Sequence, residues 1–280
     1  MRTRFLRFPE GKGKAVTLSY DDGCKTDLRL SDTITAHGLK CTFNINANPQ
    51  LTDDELQAYV LDRGHEIAVH GEKHSAPGLL RPIEGIREML NGRLALEKKF
   101  HTIIRGCAYP DTGITKFVNG ASYESIRNYM QDLDIVYART LGGDNNGFML
   151  PTDFYAWMPT AHHTNPAVLD YIDEFLAVDL SANVYHTRRM PRLFYLWGHS
   201  FEFENDGNWG LLDTICEKIG GKDDIWYATN MEIYAYIQAY NALVFSADSH
   251  LIYNPTLMTV WFDADGKLYC VHPGETIEAE

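Results

Sequence analysis

Short apolar, β-branched or aromatic runs alternate with longer stretches of helical periodicity along most of the 280-residue chain. The runs are AVTLSY (15–20), KCTFNI (40–45), EIAV (66–69), HTIIR (101–105), DIVYAR (134–139), RLFYLW (192–197) and DIWYA (224–228). Between them, LTDDELQAYVLDRG opens with Thr52 and Glu55 at capping-box spacing and stops at Gly64. IEGIREMLNGRLALEKKF (83–100) carries an apolar stripe at Ile83, Ile86, Leu90 and Leu94. SYESIRNYMQDL, NPAVLDYIDEFLA and NMEIYAYIQAYNAL have the same character. Strand–helix alternation predicts parallel strands joined by helical crossovers, in an open doubly wound sheet or a closed barrel. Seven strands over about 240 residues favour an α/β barrel, irregular or incompletely closed. The tail, TLMTVWFDADGKLYCVHPGETI (256–277), reads instead as a hairpin around Asp263-Ala264-Asp265-Gly266. The expected organisation is a barrel over 1–245 with a short β-hairpin extension, 246–280, packed on it.

Composition narrows the class. With 45% hydrophobic and 22% charged residues the chain reads as an ordinary globular protein. No run approaches the ~18 consecutive apolar residues of a membrane span. The formal charge of −13 argues against a nucleic-acid partner, which needs a basic stripe. Five cysteines, Cys24, Cys41, Cys107, Cys216 and Cys270, are odd in number and contain no CxxC pair. Buried thiols in a reducing compartment account for them most simply. The basic MRTRFLRFPEGKGK segment lacks an apolar core of secretory type. The expectation is a cytoplasmic protein.

Chemistry-bearing residues gather at strand ends. The first run leads into Asp21-Asp22-Gly23 and the third into His70, with His74 four residues on. The fourth ends in Arg105 and GCAYPDTG, and the sixth in Gly198-His199. In a barrel of parallel strands such ends share one rim, where active sites are built. HGEKH puts two imidazoles within reach of one ion, and two His with one carboxylate is a known catalytic zinc set. Alone it is equally a solvated loop. Adjacent carboxylates repel unless a cation compensates, with one ligating and its neighbour free as a base. Arg105 is the type of partner that would hold the second carboxylate ionised, or it is a structural ion pair. His162-His163 reads as surface polar.

As a set these segments resemble the polysaccharide deacetylases, carbohydrate esterase family four. TLSYDDG resembles that family's TFDDG motif, and GHEIAVHGEKHS its GHEIGNH…SHP segment. IIRGCAYP resembles its Arg-containing third motif and LWGH its late Leu-x-His motif. The resemblance spans residues 15 to about 240. It implies a distorted (β/α)7 barrel and a hydrolase of non-peptide carbon–nitrogen bonds that removes N- or O-acetyl groups from a carbohydrate. Asp22, His70 and His74 would hold a divalent metal, usually zinc. Asp21 would be the base that takes a proton from water, oriented by Arg105, with His199 the acid. Three departures stand out. Gly71 replaces a Ser or Thr whose hydroxyl braces the metal loop. Tyr109 precedes Pro110, where the family has Pro then Tyr, which makes the Tyr109 amide the expected oxyanion donor. The carboxylate supporting His199 is Asp153, beside Trp157, or alternatively Glu202. Two rivals remain open: an amidohydrolase of a small molecule, and a degenerate barrel that binds glycans uncleaved.

Overall fold

The computed structural model describes residues 3–141, 145–181 and 185–279. Its strands are β1 (Arg4–Arg7), β2 (Lys14–Asp21), β3 (Cys41–Ile45), β4 (Glu66–Val69), β5 (Gly106–Ala108), β6 (Tyr137–Arg139), β7 (Ala161–His162) and β8 (Arg192–Gly198). They continue as β9 (Ile225–Tyr227), β10 (Val244–Phe245), β11 (Leu251–Tyr253), β12 (Val260–Ala264), β13 (Lys267–Val271) and β14 (Thr276–Glu278). The helices are α1 (Asp27–Ala36), α2 (Asp53–Leu56), α3 (Pro82–Phe100), α4 (Tyr123–Asp132), α5 (Val168–Leu176), α6 (Ser200–Asn205), α7 (Trp209–Ile219) and α8 (Asn230–Asn241).

Strands β2 to β9 form one parallel sheet in the order β6-β5-β4-β3-β2-β8-β7, with β9 paired to the first three residues of β2. All eight residues of β2 are buried, as the central strand of a sheet covered on both faces must be. It pairs with β8 along one edge, while β9 and then β3 share the other. Closure comes from one short segment. The Trp157 N–H donates to Ala138 O and the Thr140 N–H to Trp157 O, while Thr160 N–H donates to Tyr195 O on β8. Residues 157–162 therefore bridge β6 and β8, and the sheet curls into the expected distorted barrel.

Three expectations shift. β7 is too short to show as an apolar run. In place of HTIIR the paired strand is Gly106–Ala108, because only Cys107 comes into register with Val69. Helix α3 turns a different face inward: Ile83 and Leu94 are 45% and 53% exposed, while Gly85, Glu88, Met89, Gly92 and Leu96 are buried. Glycines let a helix approach other backbone closely, which an apolar stripe does not report. The hairpin forms as β12 and β13 around Asp265 and Gly266, both at positive φ. β1 pairs with β12, and β10, β11 and β14 make a second small antiparallel sheet.

Candidate active site

The C-terminal rim of the parallel sheet collects the end of β2, the residues after β4 and β8, and the last residue of β6. Asp22 follows β2 with φ of 82°, in the left-handed region that costs an Asp some strain. Its N–H donates to Asn44 O at 3.0 Å. His70, fully buried, pairs its Nδ1 with Ala108 O at 2.9 Å. A carbonyl oxygen only accepts, so Nδ1 carries the proton and Nε2 presents a lone pair. That Nε2 has no hydrogen-bond partner among the described residues although it is buried. It lies 3.6 Å from Asp22 Oδ1, and His74 Nε2 lies 3.3 Å from the same oxygen. Metal–ligand bonds of about 2.0–2.2 Å in a tetrahedron have edges of about 3.3–3.6 Å. One carboxylate oxygen and two imidazole nitrogens at these separations, one an orphan, fit a divalent ion such as zinc.

Asp21 is buried beside this triad. Arg139 Nη2 pairs with its Oδ2, and Asn44 Nδ2 donates to its Oδ1 at 2.8 Å. The Arg139 guanidinium, completely buried, lies over the Trp197 ring at 4.2 Å. Burial pushes the Asp21 carboxyl up, but Arg139, His70, His199 and the Asn44 amide outweigh it and hold the acid below the usual carboxylate range. The arginine expected here, Arg105, is elsewhere: its half-exposed side chain pairs with Asp134 at 2.7 Å. Arg105 precedes β5 and so sits at the opposite rim, near His65 and Glu66. Arg139 ends the neighbouring strand at the catalytic rim.

His199 follows β8. Its Nε2 faces the carboxylates, 3.9 Å from Asp21 Oδ2 and 4.0 Å from Asp22 Oδ2. Its Nδ1 lies 3.3 Å from Glu202 Oε2, and its backbone N–H donates to the same oxygen at 3.0 Å. Burial lowers its pKa, yet Glu202 and the two aspartates raise it above the ordinary value. Of the two candidate carboxylates, Glu202 is thus the one beside His199. Asp153 instead accepts from the Tyr123 hydroxyl and the Tyr155 N–H, and Trp157 is packed among Tyr137, Phe154 and Tyr195.

His163 is not a surface residue, and His162 is only partly exposed. His163 is buried, stacked on Tyr20 and Phe203, and burial drives its pKa down to about 3. Both Nε2 atoms approach Glu202 Oε2, at 3.2 and 3.3 Å. The Thr164 N–H donates to His162 Nδ1, so the His162 proton sits on Nε2 and points at Glu202. That tautomer has no Nε2 lone pair for a metal. These three residues, which also approach one another within ligand range, therefore cluster behind His199, and His163 Nδ1 and Nε2 have no hydrogen-bond partner among the described residues.

The Tyr109 amide is not available to an oxyanion. Its N–H donates to Arg139 O at 3.1 Å, and Pro110 has no N–H. The Tyr109 ring lines the site with its hydroxyl donating to Tyr155 O. A cavity of about 240 Å³ opens between Asp21, His70, His74, Tyr109, Trp197 and His199. Cys24 and Cys107 are poor nucleophiles. Burial pushes the Cys24 thiol up to about 12 and the Cys107 thiol higher still. The five cysteines are unpaired, four buried and Cys270 partly exposed.

The family model for polysaccharide deacetylase matches residues 9–137. No curated protein matches the sequence. Among solved structures, a candidate polysaccharide deacetylase from Mycobacterium smegmatis aligns with a TM-score of 0.59 at 15% identity, over 86% of this chain and 96% of that one. A family 4 carbohydrate esterase from Streptomyces lividans, in complex with acetate, gives 0.51 at 13%, over 78% and 93%. Puue allantoinase gives 0.58 at 13%, over 81% and 91%. At these identities the likeness is one of fold.

Proposed function

We propose that this chain, whose residues 9–137 match the family model for polysaccharide deacetylase, is a metal-dependent hydrolase releasing acetate from an acetylated carbohydrate. The observation that carries this reading is the orphaned, buried His70 Nε2 sharing Asp22 Oδ1 with His74, flanked by an ionised Asp21 and by His199. Asp22, His70 and His74 would hold the ion. A bound zinc supplies Lewis-acid polarisation of an acyl oxygen and makes a neighbouring water more acidic. Asp21 takes one proton from the attacking water, kept ionised by Arg139 and Asn44. His199, with its Nδ1 3.3 Å from Glu202 Oε2, presents Nε2–H to the departing nitrogen. Water and the N-acetyl group thereby become acetate and a free amine, and no side chain forms a covalent bond.

A second reading is favoured by the likeness to an allantoinase fold and by the modest cavity: hydrolysis of a small amide or ureide at the same centre. Acetate release from chitooligosaccharides, set against hydrolysis of small amides and ureides, separates the two. Under either, dialysis against a strong chelator is expected to abolish turnover, and one equivalent of zinc per chain to restore it. Full activity in protein verified to be metal-free would overturn metal dependence.

A further inference from the structure

We infer that Glu88, in the middle of helix α3, is the positioning residue that holds the loop bearing His74 in its ligating conformation. The inference rests on the metal reading above. His74 has φ of 60°, a left-handed conformation that a β-carbon disfavours, so something outside the residue must hold it there. The two amides flanking it are both engaged by one atom. Lys73 N–H and Ser75 N–H donate to Glu88 Oε1, at 2.8 and 2.9 Å. Glu88 is only 5% exposed, an unusual place for a carboxylate without a purpose.

The glycine after His70 fits the same device. Gly71 also has positive φ, at 76°, and a β-carbon there would lie 2.5 Å from Glu88 Oε1. The carboxylate thus occupies the space that a side chain at position 71 would need. One helical turn on, a β-carbon at Gly92 would lie 2.7 Å from the Gly71 carbonyl. Positions i and i+4 share a helix face. Gly92 lets the helix reach the loop backbone, and Glu88 grips the loop where it arrives. A brace that would ordinarily come from within the loop comes from the helix instead.

The test is zinc affinity, measured by competition with a chromophoric chelator, together with the melting temperature of metal-free protein. Outer partners that orient metal ligands are typically worth about 10–100-fold in metal affinity. Glu88→Ala should weaken zinc binding by about that factor. Glu88→Asp keeps the charge and loses the reach, and should weaken it similarly. Glu88→Gln keeps an acceptor oxygen at the same position and should stay within about threefold of wild type. A merely structural Glu88 would lower the melting temperature of metal-free protein and leave zinc affinity unchanged. If Glu88→Ala does not fold, the Asp and Gln variants decide. Wild-type affinity in a folded Ala or Asp variant would overturn the inference, as would a Gln variant as weak as the Asp one. Wild-type protein that binds no zinc would overturn the metal reading and this inference with it.

Discussion

Arg139→Gln is expected to lower turnover by about a hundredfold or more, while Arg105→Ala leaves it within about twofold. Arg139 is completely buried and supplies the guanidinium that faces Asp21, and Arg105 pairs with Asp134 on the far rim. Removing the cation leaves Asp21 buried against its desolvation cost, so its pKa rises and the base is protonated at pH values where it was free. The acid limb of the kcat/KM profile should therefore move to higher pH. Stability follows with a definite sign. The folded pKa of Asp21 lies below its unfolded value, so the pair contributes stability that is present above about pH 4. That contribution disappears as pH falls through the lowered folded value. Breaking a buried pair by removing one partner typically costs about 3–5 kcal/mol. Urea unfolding of Arg139→Gln should show a loss of that order at neutral pH, and adding Asp21→Asn should recover part of it. An Arg139→Gln protein with wild-type turnover and an unmoved acid limb would refute the role.

His199→Ala should lower amide turnover by about 10²–10⁴-fold, with metal content and melting temperature preserved. An amine leaves only as it is protonated, so an activated acetate ester, whose leaving group needs no proton, should lose far less. Equal losses on ester and amide would refute the acid role. Glu202→Gln probes the same proton from behind. Glu202 and the two aspartates raise the His199 pKa, and a general acid works only while protonated. Removing the Glu202 charge should bring the alkaline limb of kcat/KM to lower pH. In linkage terms, a raised histidine contributes stability that is full below about pH 6.5 and lost as pH rises through its folded pKa. The substitution should therefore destabilise more at pH 5 than at pH 9, as denaturant midpoints would reveal.

The parts of this site that could be read from the chain alone are local in sequence or follow from strand direction. Asp21 and Asp22 are adjacent, His70 and His74 are four apart, and all of them, with His199, follow apolar strands whose parallel arrangement is implied by strand–helix alternation. Buried parallel strands have to be continuous apolar runs, and their C-terminal ends have to share a rim, so three distant segments converge without any knowledge of distances.

What the chain alone left undecided was which partners meet those residues. Arg105 and Arg139 both adjoin strand-like runs, and only the pairing of Cys107 with Val69 shows that Arg105 lies before its strand and Arg139 at the end of the next. Glu202 was one of two candidates until α6 brought it under His199. His162 and His163 carried no periodic signal, because the two-residue strand β7 that places them beside β8 is defined by pairing with β8. The inner face of α3 is set by Gly92 and Glu88, a gap and a charge, and hydrophobic periodicity reports neither. Sequence thus determined most of the strands, their common rim and the places of Asp21, Asp22, His70, His74 and His199 along it, since these depend on periodicity and chain direction. Tertiary structure decided the counter-ions, tautomers and braces, since these depend on hydrogen-bond register between segments tens of residues apart.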